Sequence, residues 1–352
     1  MFSWKLLPGA VRRYHYAFTW KRAWKFGKVA ASFGLSRLLR RDVRFGKPCV
    51  LMIEPTSFCN LKCPLCPSGN DTLGRGRGNM ELAHFYHVLD QAADTIFLLM
   101  LWNQGEPFIN KNLLDMARYA RSKRIPTITS TNVHFIRSPE DAQAIVDSGL
   151  DEIIVSLDGV TPESYVKYRV GGDFERVVEG IRLLGEAKRA LKADHPVIHL
   201  QFIIMRHNEG EIAAARDLAR RLGADRLSLK TAQVYTPSDA AEFLPTDERH
   251  SRYRYDAEGL AMKSPVINSC KHLWYSTVVN WDGSVSPCCF DKDGHHSLGN
   301  AVNGKSLAEV WEGVAYRDFR NTILKDRASV PMCNNCSEGL KDQFYNIEDV
   351  PK

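Results

Sequence analysis

The sequence predicts an α/β fold, a partial (β/α)6 TIM-like barrel followed by a small α+β domain, on three observations. Short aliphatic and β-branched runs alternate with longer amphipathic stretches from residue 48 onward, the pattern of parallel strands joined by crossover helices. Chemistry-bearing residues gather directly after those runs, where a barrel collects its ligands at the carboxyl ends of the strands. Five of the nine cysteines fall beyond Pro265, marking a second unit. A chain of 352 residues with 44% hydrophobic and 25% charged content can bury such a core, which excludes disordered and fibrous classes.

Residues 1–47 read as a basic, aromatic, amphipathic leader. They hold twelve Lys or Arg against one acid, Asp42, so the net charge of +6 belongs to this segment and the rest of the chain is net negative. Trp20, Trp24, Ala31, Leu35 and Leu38 recur at helical spacing while Lys21, Arg22, Lys25 and Lys28 lie mostly elsewhere on the wheel. Such a helix either lies on an anionic leaflet or docks its aromatics on the protein's own barrel, with nucleic acid a third option. No uncharged run reaches the roughly 18 residues of a spanning helix. Basic residues also recur too evenly for a secretory signal. The expected location is therefore cytoplasmic, with peripheral contact at the inner face of the membrane through residues 1–41 left open.

The barrel is expected over residues 48–245. Its strands are 49–54, 96–101, 126–131, 153–157, 197–205 and 226–230, and its helices include 81–93, 111–123, 139–148, 174–192 and 209–222. Gly149 and Gly223 follow two of these as helix stops. The auxiliary unit spans 246–345, and 346–352 form a tail. No fixed-period repeat is present.

The first strand runs into EPTSFCNLKCPLCPSG, which sets Cys59, Cys63 and Cys66 in one loop at C-x3-C-x2-C. An odd total of nine cysteines argues against a disulfide scaffold and for metal binding in a reducing compartment. A structural zinc site recruits four ligands, whereas a cubane iron–sulfur cluster on three cysteines keeps one iron open. The phrase resembles the radical S-adenosylmethionine (radical SAM) superfamily. Gly105-Glu106-Pro107 after the second strand, Ser130-Thr131-Asn132 after the third and Ser156-Leu157-Asp158-Gly159 after the fourth stand in that family's order. The resemblance implies S-adenosylmethionine on the open iron, reductive cleavage to a 5′-deoxyadenosyl radical and hydrogen abstraction from a substrate. It implies cofactor contacts from Gly105, Glu106, Pro107, Ser130, Asn132, Ser156, Asp158 and Arg169. The alternatives for Asp158 and Arg169 are a cap on the helix after Thr161-Pro162-Glu163 and a solvent-exposed arginine.

Cys270, Cys288, Cys333 and Cys336, spread around WDGSVSPCCF and SLAEVW, resemble the SPASM or twitch extension of these enzymes in its single-cluster form. This implies one closed auxiliary [4Fe–4S] cluster, two clusters in all, and oxidation or radical coupling with the surplus electron leaving through it. Zinc is the physical alternative for four thiolates. Cys289 is an alternative ligand or a hydrogen donor, and Cys49 reads as a small apolar core residue. His199, Gln201, Arg206, Lys230, Gln233 and Tyr235 are the candidate bases or polar anchors near the last strands. A lipid-linked or envelope sugar is the expected substrate, with peptide modification and soluble sugar or aminocyclitol dehydrogenation as alternatives. The reductant is expected to be a flavodoxin or ferredoxin, and no nucleic acid is expected. The competing class is a non-enzymatic electron carrier or zinc module.

Overall fold

Six runs rich in aliphatic or β-branched residues take up parallel strands in the computed structural model, which describes residues 14–336 and 345–351. They are β1 (Val50–Ile53), β2 (Leu98–Leu101), β3 (Thr127–Thr131), β4 (Glu152–Ser156), β5 (Val197–Ile204) and β6 (Arg226–Thr231), each hydrogen-bonded to the next. Helix α1 (Trp20–Leu39) precedes them. The crossovers carry α2 (Leu82–Ala92), α3 (Leu113–Ser122), α4 (Pro139–Asp147), α5 (Pro162–Tyr168), α6 (Phe174–Ala190) and α7 (Ile212–Arg221). Ser138 and Thr161 close capping boxes with a proline in the first turn, a pre-organised helix start. Gly149 and Gly223 adopt positive φ after α4 and α7, as their positions predict.

The sheet does not stop at six strands. After α8 (Pro237–Phe243) and the hairpin β7 (Tyr253–Asp256) and β8 (Gly259–Met262), α9 (His272–Tyr275) leads into β9 (Ser276–Val279) and β10 (Val285–Ser286). Then come α10 (Leu307–Glu312), α11 (Val314–Asp326), α12 (Pro331–Asn334) and β11 (Tyr345–Asp349). Strand β9 runs parallel to β1, β10 antiparallel to β9, and β11 antiparallel to β6. The order is β10-β9-β1-β2-β3-β4-β5-β6-β11. The expected auxiliary unit is thus continuous with the barrel sheet at the β1 edge, and the segment expected as a tail, 346–352, supplies nearly all of β11 on the β6 edge.

Side-chain alternation divides the sheet into two faces. Leu51, Ile53, Ile153, Val155, Leu200, Phe202, Leu227 and Leu229 join the outer cores under the helices. Glu54, Ser130, Ser156, His199, Gln201, Ser228 and Lys230 consequently fall to the inner wall.

The leader packs one face of its helix on the body of the protein and leaves the other exposed. Phe26 packs edge-on against Phe97 and Tyr275, Phe33 against Trp274, and Val29 is buried. Arg22 donates to the carbonyls of Ala17, Ala93, Lys123 and Arg124 at 2.6–3.0 Å, so one cation neutralises the carboxyl ends of α2 and α3. Tyr16 donates to Asp151 at 2.7 Å beneath the Arg121 guanidinium. Trp20, Trp24, Leu35 and Leu38 point away from all of this and are exposed. Among the described residues no helix is long and apolar enough to cross a membrane. The aromatic residues before Tyr14 lie outside the described residues.

Candidate functional site

The loop after β1 folds back on itself through successive turns. Cys66 N–H donates to the Cys63 carbonyl at 3.1 Å, and the Gly69 and Asn70 amides donate to the Cys66 carbonyl at 2.8 and 2.9 Å. Leu61 and Leu65 anchor this loop in an apolar cluster with Tyr168, Met205, Val234 and Phe243. Cys63 is buried, while Cys59 and Cys66 are half-buried. A Cβ on Gly69 would lie 2.6 Å from the Cys63 nitrogen, so only glycine allows the loop to close this tightly.

The GEP turn is stitched onto this loop. Glu106 N–H donates to the Phe58 carbonyl at 2.7 Å and Gly105 N–H to Ser68 Oγ at 3.2 Å. Gly105 has φ +75°, and a Cβ there would stand 2.5 Å from the Phe58 oxygen. The Glu106 carboxylate accepts from Thr131 Oγ1 and Asn132 N–H, each at 2.7 Å, and from Phe108 N–H. Burial pushes it up to about 7. The carboxylate therefore ties the turn to the end of β3, a role that its motif did not announce. Pro107 opens the short helical turn that follows.

The neighbouring strand ends close around the same loop. Asn132 donates to Asn60 Oδ1 at 2.8 Å. Asp158 is fully buried and accepts from Arg169 Nε at 2.6 Å and from Ile203 N–H at 2.7 Å. Neither alternative reading of these two residues holds: Thr161, not Asp158, caps α5, and Arg169 is largely withdrawn from solvent. The other branch of the Arg169 guanidinium approaches Cys63 Sγ at 3.7 Å. Ser130 is half-buried and Ser156 buried on the inner wall.

Burial pushes the Cys59 thiol up to about 12 and raises Cys63 as well, although Arg169 pulls Cys63 back. Dry, mutually repelling thiols of this kind become ligands when a cationic centre compensates them. The donor set thus fits a thiolate-bound cluster. The second thiol group behaves alike. Cys333 and Cys336 are buried and Cys270 and Cys288 half-buried, with burial raising Cys270 to about 12 and Cys288 well above the usual thiol range. Arg327, buried at the start of the turn before α12, sits electrostatically beside Cys336, Cys270 and Cys333. Among the described residues no three His, Cys, Asp or Glu side chains converge as the ligands of one ion do. A multi-iron cubane holds its thiolates at separate corners and does not call for that convergence.

The weaker candidates separate. His199 bonds Glu152 at 2.6 Å, with Arg226 on the other Glu152 oxygen at 3.1 Å. Glu152 and Arg226 open their strands, so His199 lies at the amino ends, opposite the thiol loop, and this geometry removes it as a base. Arg206 is exposed, and Tyr235 is half-exposed against Lys292. Gln233 donates to the Asn335 carbonyl at 3.5 Å, next to Cys336. Gln201 and Lys230 remain on the inner wall, and burial lowers Lys230 to about 8 on the side facing Cys289. Cys289 is exposed, while Cys49 is buried against the Tyr275 carbonyl as a core residue.

One connection had no motif to signal it. Glu54, the residue after β1, is fully buried and accepts from Arg75 at 2.8 Å, Gln104 N–H at 3.1 Å and Trp281 N–H at 3.2 Å. It joins the segment after the cysteine loop, the GEP turn and the strand β9 end.

Residues 53–219 match the model of the radical SAM superfamily, and residues 270–337 match that of the SPASM iron–sulfur cluster-binding domain. The chain is 31% identical to a PqqA peptide cyclase of Rhizobium meliloti over 315 residues, 84% of this chain and 81% of that one. It is 24% identical to a tungsten-containing aldehyde ferredoxin oxidoreductase cofactor-modifying protein of Pyrococcus furiosus, over 85% of this chain and 90% of that one. The fold is shared with BtrN, solved with AdoMet and 2-DOIA, at a TM-score of 0.51 and 18% identity over 83% of this chain and 94% of that one.

Proposed function

Because the chain belongs to the radical SAM superfamily and carries a SPASM-type iron–sulfur domain, we propose that it is an enzyme that abstracts hydrogen from an unactivated C–H bond and completes an oxidation or a radical coupling. Its cofactors are S-adenosylmethionine and two [4Fe–4S] clusters. When bound, the three-cysteine cluster supplies the electron that cleaves S-adenosylmethionine, and the auxiliary cluster accepts the electron left on the substrate.

Cys59, Cys63 and Cys66 would hold the first cluster and Cys270, Cys288, Cys333 and Cys336 the second. The observation that carries this reading is the stitching of the cysteine loop to the GEP turn by Glu106 N–H and Gly105 N–H. It presents the backbone of the turn beside the thiols, where carbonyls, half-buried Ser130 and buried Ser156 can accept or donate to the amino, carboxylate and ribose groups of the nucleotide. Arg169 orients Cys63 through its N–H···S contact while Asp158 holds the guanidinium in place. Lys230 Nζ, on the inner wall and lowered by burial to about 8, would take the substrate proton from its deprotonated fraction.

For the substrate we favour a lipid-linked or envelope sugar, on the strength of the exposed aromatic and basic face of α1. A peptide is the second reading, supported by the relatives that are peptide cyclases. A flavodoxin or ferredoxin would deliver the electron. Anaerobic reconstitution should give about eight irons per chain and release 5′-deoxyadenosine on addition of S-adenosylmethionine and reductant. Colourless protein that binds zinc and releases none would overturn the enzyme reading. Deuterium passing into 5′-deoxyadenosine from a labelled polyprenyl-linked sugar, but not from a labelled peptide, would decide the substrate class.

A further inference from the structure

Helix α1 is amphipathic twice over. Its inner stripe, Arg22, Phe26, Val29, Ser32, Phe33 and Ser36, is consumed by the barrel and the auxiliary domain, with Trp274 Nε1 donating to Ser36 Oγ at 3.1 Å. Folding therefore accounts for most of that face, Phe26 alone among these keeping 45% of its surface exposed beside its contacts to Phe97 and Tyr275. The opposite stripe runs through Trp20, Trp24, Ala31, Leu35 and Leu38, positions that share one side of a 3.6-residue helix. Trp20 is 83%, Trp24 70% and Leu38 77% exposed, and Phe18 stacks edge-on against Trp20 at the amino end. Large apolar side chains aligned outward over some 30 Å of helix would be hidden in a protein that met only water.

The flanks say what covers them. Lys21 and Lys28 border the stripe on one side and Arg37 on the other, with Arg40 and Arg41 exposed where the helix ends. Residues 20–41 contain no acid. Among the described residues the acid paired with these lysines is Asp94, which binds Lys21 and lies 3.9 Å from Lys25. Lys28 sits over the outward Trp24 ring, and Arg37, exposed at its own flank, over Phe33 of the inner stripe. We infer that this face docks on the surface of an anionic lipid bilayer, the two indoles and Leu38 in the headgroup–acyl boundary and the cations against lipid phosphates. A protein partner or a second copy would have to present an acidic, flat apolar face, whereas a leaflet supplies both by composition. The dock holds whichever substrate the catalytic site takes.

Co-sedimentation of the full-length protein with vesicles of phosphatidylglycerol in phosphatidylcholine tests it. The wild type should pellet with these vesicles, pellet less with phosphatidylcholine alone, and be released by salt. The variant Trp20→Ser/Trp24→Ser/Leu38→Ser leaves the inner stripe intact; it should keep its unfolding midpoint and its S-adenosylmethionine cleavage, and partition about tenfold or more weakly. Lys28→Glu/Arg37→Glu should abolish the preference for anionic lipid. Failure of the wild type to pellet, or equal pelleting of the triple variant, overturns the inference. So does a doubled mass of the wild type in solution that the triple variant reverses, since the stripe would then belong to a second copy.

Discussion

His134 is held as a neutral ring: its Nε2 accepts the Asp173 N–H at 2.8 Å, which leaves the proton on Nδ1 facing the Asn132 carbonyl at 2.9 Å. Burial is the foremost cause lowering its pKa from 6.5. The unfolded chain then binds the proton more readily, so stability from the neutral ring is in place above pH 6.5 and lost as pH falls through it. Urea midpoints should decline from pH 7.5 to 5.5 in the wild type and decline less in His134→Gln. Gly105 makes a sharper demand, because Gly105→Ala combines a left-handed backbone with a Cβ 2.5 Å from the Phe58 oxygen. That variant should fold yet take up only the iron of the auxiliary cluster, roughly half the wild-type content, read by iron analysis. Single residues were unevenly legible in the sequence. Cysteine triplets announce themselves by spacing. Glu54, Arg327 and the bond from Arg169 to Asp158 do not, since a lone charge carries no spacing and its partner arrives from a distant element.

At the level of elements, α1 is fastened through one side chain more than any other. Arg22→Met would strip three carbonyls at the ends of α2 and α3, and that of Ala17 before α1, of their donor and cost on the order of 3 kcal/mol, seen as a lowered unfolding midpoint. Arg22→Lys should recover little, since one ammonium cannot reach the four acceptors that a planar fork serves. The six barrel strands were legible because each is a run of strand length rich in aliphatic or β-branched residues, β3 as TITST and β6 as RLSLKT included. Strands β10 and β11 were not. The first has two residues and the second reads YNIED; both are extended because a sheet edge offers them partners, a property of the assembled molecule. Helix α8 is not among the expected helices, although Thr236-Pro237-Ser238-Asp239 forms the same Thr-Pro capping box that opens α5.

Across the whole molecule, Glu54 binds together three segments, those of Arg75, Gln104 and Trp281, the outer two more than 200 residues apart in sequence. Glu54→Gln leaves Arg75 short of its charge and should cost about 3 kcal/mol, with the loss shared by both cluster sites and visible as lower iron content at equal protein. Cys333→Ala should behave differently. It spares the loop after β1, so 5′-deoxyadenosine should still form while product does not, as measured by single-turnover assays. The sheet itself carries a consequence for biosynthesis. Its borders are finished by β9 with β10 and by β11, parts the ribosome makes only after all six barrel strands. Until they emerge, the nascent barrel presents two unpaired flanks to the crowded cell. A prematurely stopped chain should therefore be sticky waste, never a smaller working enzyme.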